Sequence, residues 1–387
     1  MPEYTLRSDY ASVIAVDQHA RSVTLSATCL PTGEHRTGRL ARCPGAAEIA
    51  EWASWSDGPR LFVYESGPCG FQLARDLRAL GQGCDVIATS TIPRSPQARA
   101  YKDDRGDAES LLEAVTSANS RCRAVWVPSA EAEGARDLVR AYVDLSNALK
   151  SLKMQTSAIL LRHGFVWDER TASGSLKKTW TRGWLEWATS ARTGDAASDA
   201  ALALYVSDAL AATERLRSAR RALLELSEQP RWKPCVDALS RLKCVERLTA
   251  LAFAASVDDF SRFKSPRSVS KYFGLVPGRD DSGERCGRGG RRITRAGDST
   301  VRRLLIEALT SLPGMTPAPK ALPAGCTASL AVEAEAQRCN QRNVERYRAL
   351  VEAGKRPNVA KVAVASELAR QMWVIGSMAQ REAAQAG

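Results

Sequence analysis

The sequence is poor in the residues that build most metal and redox centres. It has only three histidines, and none of its ten cysteines forms a C-x-x-C pair. We therefore expect no zinc site, and we expect the cysteines to be free, reduced thiols. No apolar run approaches the ~20 residues of a membrane span. The N-terminus also lacks a basic region followed by an apolar one. We expect a cytoplasmic protein with no membrane partner.

Basic residues outnumber acidic residues in the sequence. Lysine and arginine number 55 against 43 acidic residues, a net charge of +12. Residues 231–310 hold 17 basic and 9 acidic residues, so +8 of the +12 lies in that stretch. Such asymmetry favours a polyanionic partner, most simply nucleic acid, with a solvated basic face as the alternative. The length of 387 residues gives room for two to three domains.

The first part of the chain alternates between strand and helix patterns. In order these patterns fall at 12–17, 22–30 and 35–40 (strands), 44–56 (helix), 60–65 (strand), 71–80 (helix), 84–89 (strand) and 107–118 (helix). Three consecutive strands followed by alternating units predict an α/β fold, a mixed sheet flanked by helices.

The rest of the chain has mainly helical patterns. Two long amphipathic stretches between 131 and 229 predict an antiparallel hairpin or coiled coil. Trp180, Trp184 and Trp187 lie between them at helical spacing, which is more typical of packing than of a base-stacking surface. We predict three domains: an α/β domain at 1–130, a helical hairpin or coiled coil at 131–230, and a mainly helical C-terminal domain at 231–387.

Four carboxylates occur at the ends of predicted elements. Asp17 closes the first strand, Glu65 closes the fourth, and Asp104 and Asp107 begin a helix at i, i+3 spacing. Convergent carboxylates repel unless cations bind, so we expect Mg²⁺ or Mn²⁺. Two such ions assist phosphodiester cleavage in polynucleotidyl transferases with an RNase H-like fold. Taken one at a time, Asp107 could be a helix cap and Asp17 could simply end a strand. Asp103 is an alternative to Asp104 as the third acid of the site.

A second group of residues follows Gly274 in a glycine- and arginine-rich stretch. Guanidinium groups suit phosphates, and glycines allow close approach of a nucleic-acid backbone. The arginines concerned are Arg285, Arg288, Arg291, Arg292, Arg295, Arg302 and Arg303. Ser282 lies among them, where a serine is either a turn residue or a nucleophile that attacks a phosphodiester.

Taken together, these motifs resemble a family of bacterial insertion-sequence transposases, the "one-ten" family, which are relatives of the Piv-type DNA invertases. The resembling segments are 14–17, 64–70, 102–108, 127–129, 136–140, 262–263, 272–277, 282–283, 293–297, 302–305, 354–355, 358 and 362–369. They occur in order over nearly the whole chain, whereas residues 165–230 contribute little.

The resemblance implies a RuvC-like N-terminal domain whose metal site is Asp17, Glu65, Asp104 and Asp107. It also implies a C-terminal transposase domain in which Ser282 forms a covalent link to DNA. The expected partners are donor and target DNA, a noncoding guide (bridge) RNA and further copies of the chain, as a dimer or tetramer. A bacterial, nucleoid-associated location follows from the same resemblance.

The sequence thus predicts a site-specific DNA recombinase or transposase that uses a phosphoserine intermediate and a magnesium-binding carboxylate cluster. One alternative is a metal-dependent, structure-selective nuclease that uses water, with Ser282 only a turn residue. Another is a non-catalytic nucleic-acid-binding derivative of a transposase, which needs the arginines but neither the acids nor the serine.

Overall fold

The computed structural model describes residues 9–93, 104–278, 292–321 and 325–386, without the side chains of residues 104, 105 and 386. The chain divides into two compact units, Met1–Pro128 and Ser129–Gly387.

Over its described residues, the first unit contains a five-stranded sheet and three α-helices. The strands are β1 (Ser12–Gln18), β2 (Ser22–Cys29), β3 (His35–Ala41), β4 (Arg60–Glu65) and β5 (Gly83–Ile87). The helices are α1 (Ala46–Trp52), α2 (Gln72–Ala79) and α3 (Asp104–Thr116). Their order along the chain is the β-β-β-α-β-α-β-α order that the sequence predicts.

The sheet is mixed, with the strand order β3-β2-β1-β4-β5. The strands β1, β2 and β3 pair antiparallel through short connections, while β4 and β5 add in parallel after helical crossovers. The prediction of a mixed sheet flanked by helices is therefore confirmed.

Both faces of β1 are buried, which explains its continuous apolar sequence. Ile14 and Val16 point to a core that includes residues of α1 and α2. Val13 and Ala15 point to the opposite core, where α3 packs on β1, β2 and β4.

The second unit is helical over the residues that the structure describes. Its α-helices are α4 (Ala130–Arg162), α5 (Arg182–Ser190), α6 (Ala196–Ser227), α7 (Lys233–Leu239), α8 (Arg247–Val257), α9 (Pro266–Tyr272), α10 (Ser299–Ala308), α11 (Leu330–Glu352) and α12 (Pro357–Ala386). Across the described ranges, no helix is both long and apolar enough to cross a membrane.

The long helices α4 and α6 form the antiparallel hairpin that the sequence predicts. Val139 near the start of α4 lies in one buried cluster with Leu223 near the end of α6. Ile159 near the end of α4 lies in another cluster with Leu202 near the start of α6. The start of α4 therefore packs on the end of α6, and the end of α4 on the start of α6, so the two helices are antiparallel.

The tryptophans pack at the end of this hairpin. Trp184 on α5 is 2% exposed. Its ring centroid lies 4.5 Å from that of Trp180 and 6.0 Å from that of Trp187, and Trp167 lies 5.3 Å from Trp187. Tilted rings at these distances are ordinary aromatic packing, as the spacing predicts. The larger core of this unit surrounds α8, whose residues Thr249 to Val257 are all buried.

Candidate catalytic site

Asp17 and Glu65 lie next to each other at the carboxyl ends of two adjacent parallel strands. The strands β1 and β4 pair in a register in which Val16 is opposite Tyr64, so the next level of the sheet holds Asp17 and Glu65. Both residues point to the α3 side, because side chains alternate along a strand and the residues two positions earlier belong to that core. The structure thus brings together two of the predicted site residues.

Asp17 is partly open to solvent, with its side chain 23% exposed. Its Oδ2 atom lies 3.0 Å from Nε2 of His19, one residue beyond the end of β1. The carboxylate therefore has a contact with a neighbour on its own chain segment.

The third acid, Asp107, lies in the first turns of α3. Leu111 and Val115 are buried on the side of α3 that faces the sheet. Asp107 precedes Leu111 by four residues, so it lies on that same helix side, and it is half-buried. Asp104 is the first residue of α3, but its side chain, like all of Asp103, lies outside the described residues.

The donor chemistry at this sheet edge fits a hard divalent cation. Asp17 and Glu65 supply carboxylate oxygens, the ligand type that Mg²⁺ and Mn²⁺ prefer. The other two predicted acids, Asp104 and Asp107, belong to α3. Among the described side chains, which omit that of Asp104, no three His, Cys, Asp or Glu residues form a group that could hold a metal ion.

The same level of the sheet continues onto β2 and β3. Thr24 on β2 is opposite Asp17 on one side and opposite Arg39 of β3 on the other. Arg39, Thr24, Asp17 and Glu65 therefore form one row across four strands on the α3 side, which we call the carboxylate row. Sequence reasoning missed Thr24, although its place in an alternating strand was the available signal.

In the second unit, the chain on either side of residues 279–291 pairs with itself. Thr294 N donates to Val276 O at 2.9 Å, Gly278 N donates to Arg292 O at 2.8 Å, and Pro277 and Ile293 form an antiparallel bridge. Four predicted site residues fall between these flanks and lie outside the described residues: Ser282, Arg285, Arg288 and Arg291.

The four described arginines of the predicted DNA-binding set differ in their contacts. Arg292 and Arg295 are exposed, with side chains open to solvent. Arg302 instead donates from Nη1 to the carbonyls of Phe273 at 3.0 Å and Ala296 at 2.8 Å, and so ties the two flanks together.

Arg303 also has protein partners. Its Nε donates to Glu307 at 2.7 Å, and its Nη1 donates to Asn147 on α4 at 2.7 Å. The structure thus gives both Arg302 and Arg303 hydrogen bonds to other residues of the second unit.

The carboxyl end of α8 collects residues from three of the motif segments. The Ser256 carbonyl accepts from Nη2 of Arg136 at 3.0 Å, Nη2 of Arg262 at 3.3 Å and the Tyr272 hydroxyl at 3.3 Å. Cations are favourable at the negative end of a helix dipole. Burial nevertheless lowers the pKa of Arg136 below its usual value.

This cluster supports the segment that leads to residues 279–291. The guanidinium of Arg262 stacks on Phe263 and Tyr272, with its Cζ 4.5 and 4.8 Å from the ring centroids. Tyr272 ends α9, and Gly274 follows two residues later. The motif residues Arg136, Arg262 and Tyr272 therefore have a structural role that spacing alone did not indicate.

Comparison with known proteins shows which family the chain resembles. Residues 236–322 match the transposase IS116/IS110/IS902 family. Over 323 residues the chain is 36% identical to a putative transposase, y4qE, of Sinorhizobium fredii, which covers 83% of this chain and 76% of that protein.

Two further transposases are similar over shorter stretches. The chain is 28% identical over 262 residues to a probable family 20 transposase of Pseudomonas aeruginosa, covering 64% of this chain and 70% of that protein. It is 25% identical over 209 residues to the transposase of insertion sequence element IS1533 of Leptospira borgpetersenii, covering 54% and 58%.

Proposed function

The chain belongs to the IS116/IS110/IS902 family of transposases, and from that premise we propose that it cuts and rejoins DNA at the ends of an insertion sequence. The observation that carries the proposal is the adjacent placement of Asp17 and Glu65 at the carboxyl ends of β1 and β4. Carboxylates on neighbouring strands at one sheet edge are suited to binding a cation against a phosphate.

In the proposed mechanism, Asp17 and Glu65 would hold a divalent cation together with Asp104 and Asp107 of α3. When bound, such an ion stabilises negative charge on the phosphate as the bond to the leaving oxygen breaks. The four carboxylates would keep that ion beside the scissile phosphate. The mixed sheet that ends in these acids supports a RuvC-like assignment for the first unit.

Ser282 is the proposed nucleophile. Its hydroxyl attacks the scissile phosphorus and loses its proton, while the departing DNA oxygen takes one up and becomes a free hydroxyl. The resulting phosphoserine retains a phosphodiester linkage, so a hydroxyl of the exchanged strand can displace the serine and restore the DNA. The paired flanks 274–278 and 292–297 support this role, because they bring the residues before 279 and after 291 next to each other.

The exposed Arg292 and Arg295 would contact DNA phosphates, as would Arg285, Arg288 and Arg291. Resemblance to the family further supports a noncoding guide RNA that pairs with donor and target DNA, and a homo-oligomer. Both are tested by purifying the protein from cells that carry the element's flanking DNA, then sequencing bound RNA and measuring the mass of the particle by light scattering.

The central proposal is tested by recombination in cells. The protein is co-expressed with a plasmid that carries the element and its flanks, and recombined junctions are counted by sequencing. Wild type, Asp17→Asn and Ser282→Ala are compared with Asp57→Asn, a control at an exposed aspartate of the same unit.

We expect junctions from wild type and from the control, and none from the two site variants. Junctions from Ser282→Ala would instead show that strands are joined by metal-activated attack of a DNA hydroxyl, without a phosphoserine. Junctions from Asp17→Asn at the wild-type level would remove the carboxylate site from the mechanism.

A further inference from the structure

The Thr24 hydroxyl is a buried polar group without a structural explanation. Thr24 is only 6% exposed, and its Oγ1 has no hydrogen-bond partner in the described part of the chain. A buried, unpaired hydroxyl costs free energy that a valine of the same shape avoids. A threonine here therefore needs a reason beyond packing.

The position of Thr24 supplies one. It lies beside Asp17 in the carboxylate row, on the side of the sheet where α3 packs. Directly opposite residues of an antiparallel pair have Cβ atoms about 4.5–5.5 Å apart, so a hydroxyl on one can reach a carboxylate on the other after a change of rotamer. In the structure, Oδ2 of Asp17 is turned toward His19.

We propose that Thr24 is a positioning residue of the cation site: its hydroxyl donates a hydrogen bond to the Asp17 carboxylate when Asp17 and Glu65 bind a divalent cation. The bond holds one carboxylate oxygen against the sheet and directs the other toward Glu65. A hydrogen bond to a charged acceptor is stronger than one between neutral groups. This inference rests on the cation site of the proposed function.

Ser26, two residues from Thr24 on the same strand, provides a matched control for the Thr24 substitution. Ser26 lies on the same strand and the same side, is 1% exposed, and also lacks a hydrogen-bond partner among the described residues. Its neighbour on β1 is Ala15 and not an acid. If an unpaired hydroxyl under α3 mattered only for packing, Thr24 and Ser26 would behave alike.

The test is a Mn²⁺ titration of the full-length protein without DNA, followed by electron paramagnetic resonance of the free ion. Five proteins are compared: wild type, Asp17→Asn, Thr24→Val, Thr24→Ser and Ser26→Ala. Thermal unfolding of each metal-free protein is recorded in parallel, so that loss of binding can be separated from loss of folding.

We expect Thr24→Val to weaken Mn²⁺ binding about ten- to hundredfold, the effect of one hydrogen bond to a charged group. Its unfolding temperature in the absence of metal should be unchanged or higher, because the variant removes an unpaired buried hydroxyl. Thr24→Ser, which keeps the hydroxyl, and Ser26→Ala should bind as wild type does.

The inference is overturned if Thr24→Val binds Mn²⁺ as wild type does, if Ser26→Ala weakens binding equally, or if Thr24→Ser loses affinity as well. These results leave the proposed function standing, provided that Asp17→Asn abolishes binding. A wild type that binds no Mn²⁺, or an Asp17→Asn variant that binds normally, overturns the cation site itself and the role of Thr24 with it.

Discussion

Replacing Gly297 with alanine should disturb the segment that carries the proposed nucleophile. Gly297 has φ +68°, and a Cβ built on it overlaps the carbonyl oxygen of Tyr272 and lies 3.1 Å from the carbonyl carbon. Both atoms are backbone, so no side-chain rotation relieves the overlap. Arg302 ties the same place together through the carbonyls of Phe273 and Ala296.

The expected cost has two parts. An L-residue in the left-handed region costs roughly 1–2 kcal/mol. The overlap with Tyr272 adds about 1–3 kcal/mol, as overpacking of a filled interior does. Gly297→Ala should therefore lower the free energy of unfolding by about 2–5 kcal/mol in total.

Gly354 provides a control in the same unit. It has φ +80°, but a Cβ built there meets nothing within 4 Å. Gly354→Ala should therefore cost only about 1–2 kcal/mol. Urea unfolding of the full-length variants, followed by tryptophan fluorescence, measures both, and the recombination assay should show a loss only for Gly297→Ala. Equal destabilisation by the two substitutions would refute the reasoning.

Three further predictions concern other parts of the chain. Burial opposes ionisation of Asp237, but its bonds to partners such as Arg247 outweigh burial and lower its pKa below the usual 3.8; Asp237→Asn should cost about 3–5 kcal/mol at neutral pH. Urea titrations should show the stability difference between wild type and Asp237→Asn shrinking as the pH falls below about 3.8. A carboxyl group whose pKa is lowered in the folded state stabilises the fold only while it is ionised, and it becomes protonated at lower pH. Iodoacetamide at pH 8 should label the exposed Cys43 in the native protein but not Cys84, because burial raises the Cys84 pKa to about 12; mass spectrometry that finds equal labelling would contradict this. Trp184→Ala should cost about 3–5 kcal/mol and speed hydrogen exchange at the end of the hairpin, and unchanged exchange there would contradict the packing role.

The sheet was predictable because its strands have distinct patterns. The apolar runs in β1 and β4 indicate strands buried on both faces, and an acid ends each run. Their pairing was not predictable in the same way, because register depends on contacts between segments 48 positions apart, such as Val16 with Tyr64. The site at this edge therefore needed the structure to show which acids are neighbours.

The burial of Thr24 and the contacts of Arg302 could not be predicted from the sequence. Thr24 looks like a polar residue of a half-exposed strand, and only the packing of α3 on β2 shows that it is buried. Arg302 was predicted to bind DNA because it lies in an arginine-rich stretch, yet its guanidinium contacts a carbonyl at residue 273. Contacts with distant parts of the chain leave no local pattern.

The most direct test of the central claim is a search for the covalent bond between Ser282 and DNA. Wild-type protein, its element's RNA and labelled substrate DNA are incubated with Mg²⁺, and the products are separated on a denaturing gel and digested for mass spectrometry. We predict a protein–DNA adduct whose peptide carries a nucleotide on Ser282, and no adduct from Ser282→Ala or Asp17→Asn. DNA that is recombined by wild type without an adduct, or with an adduct on another residue, would contradict the account.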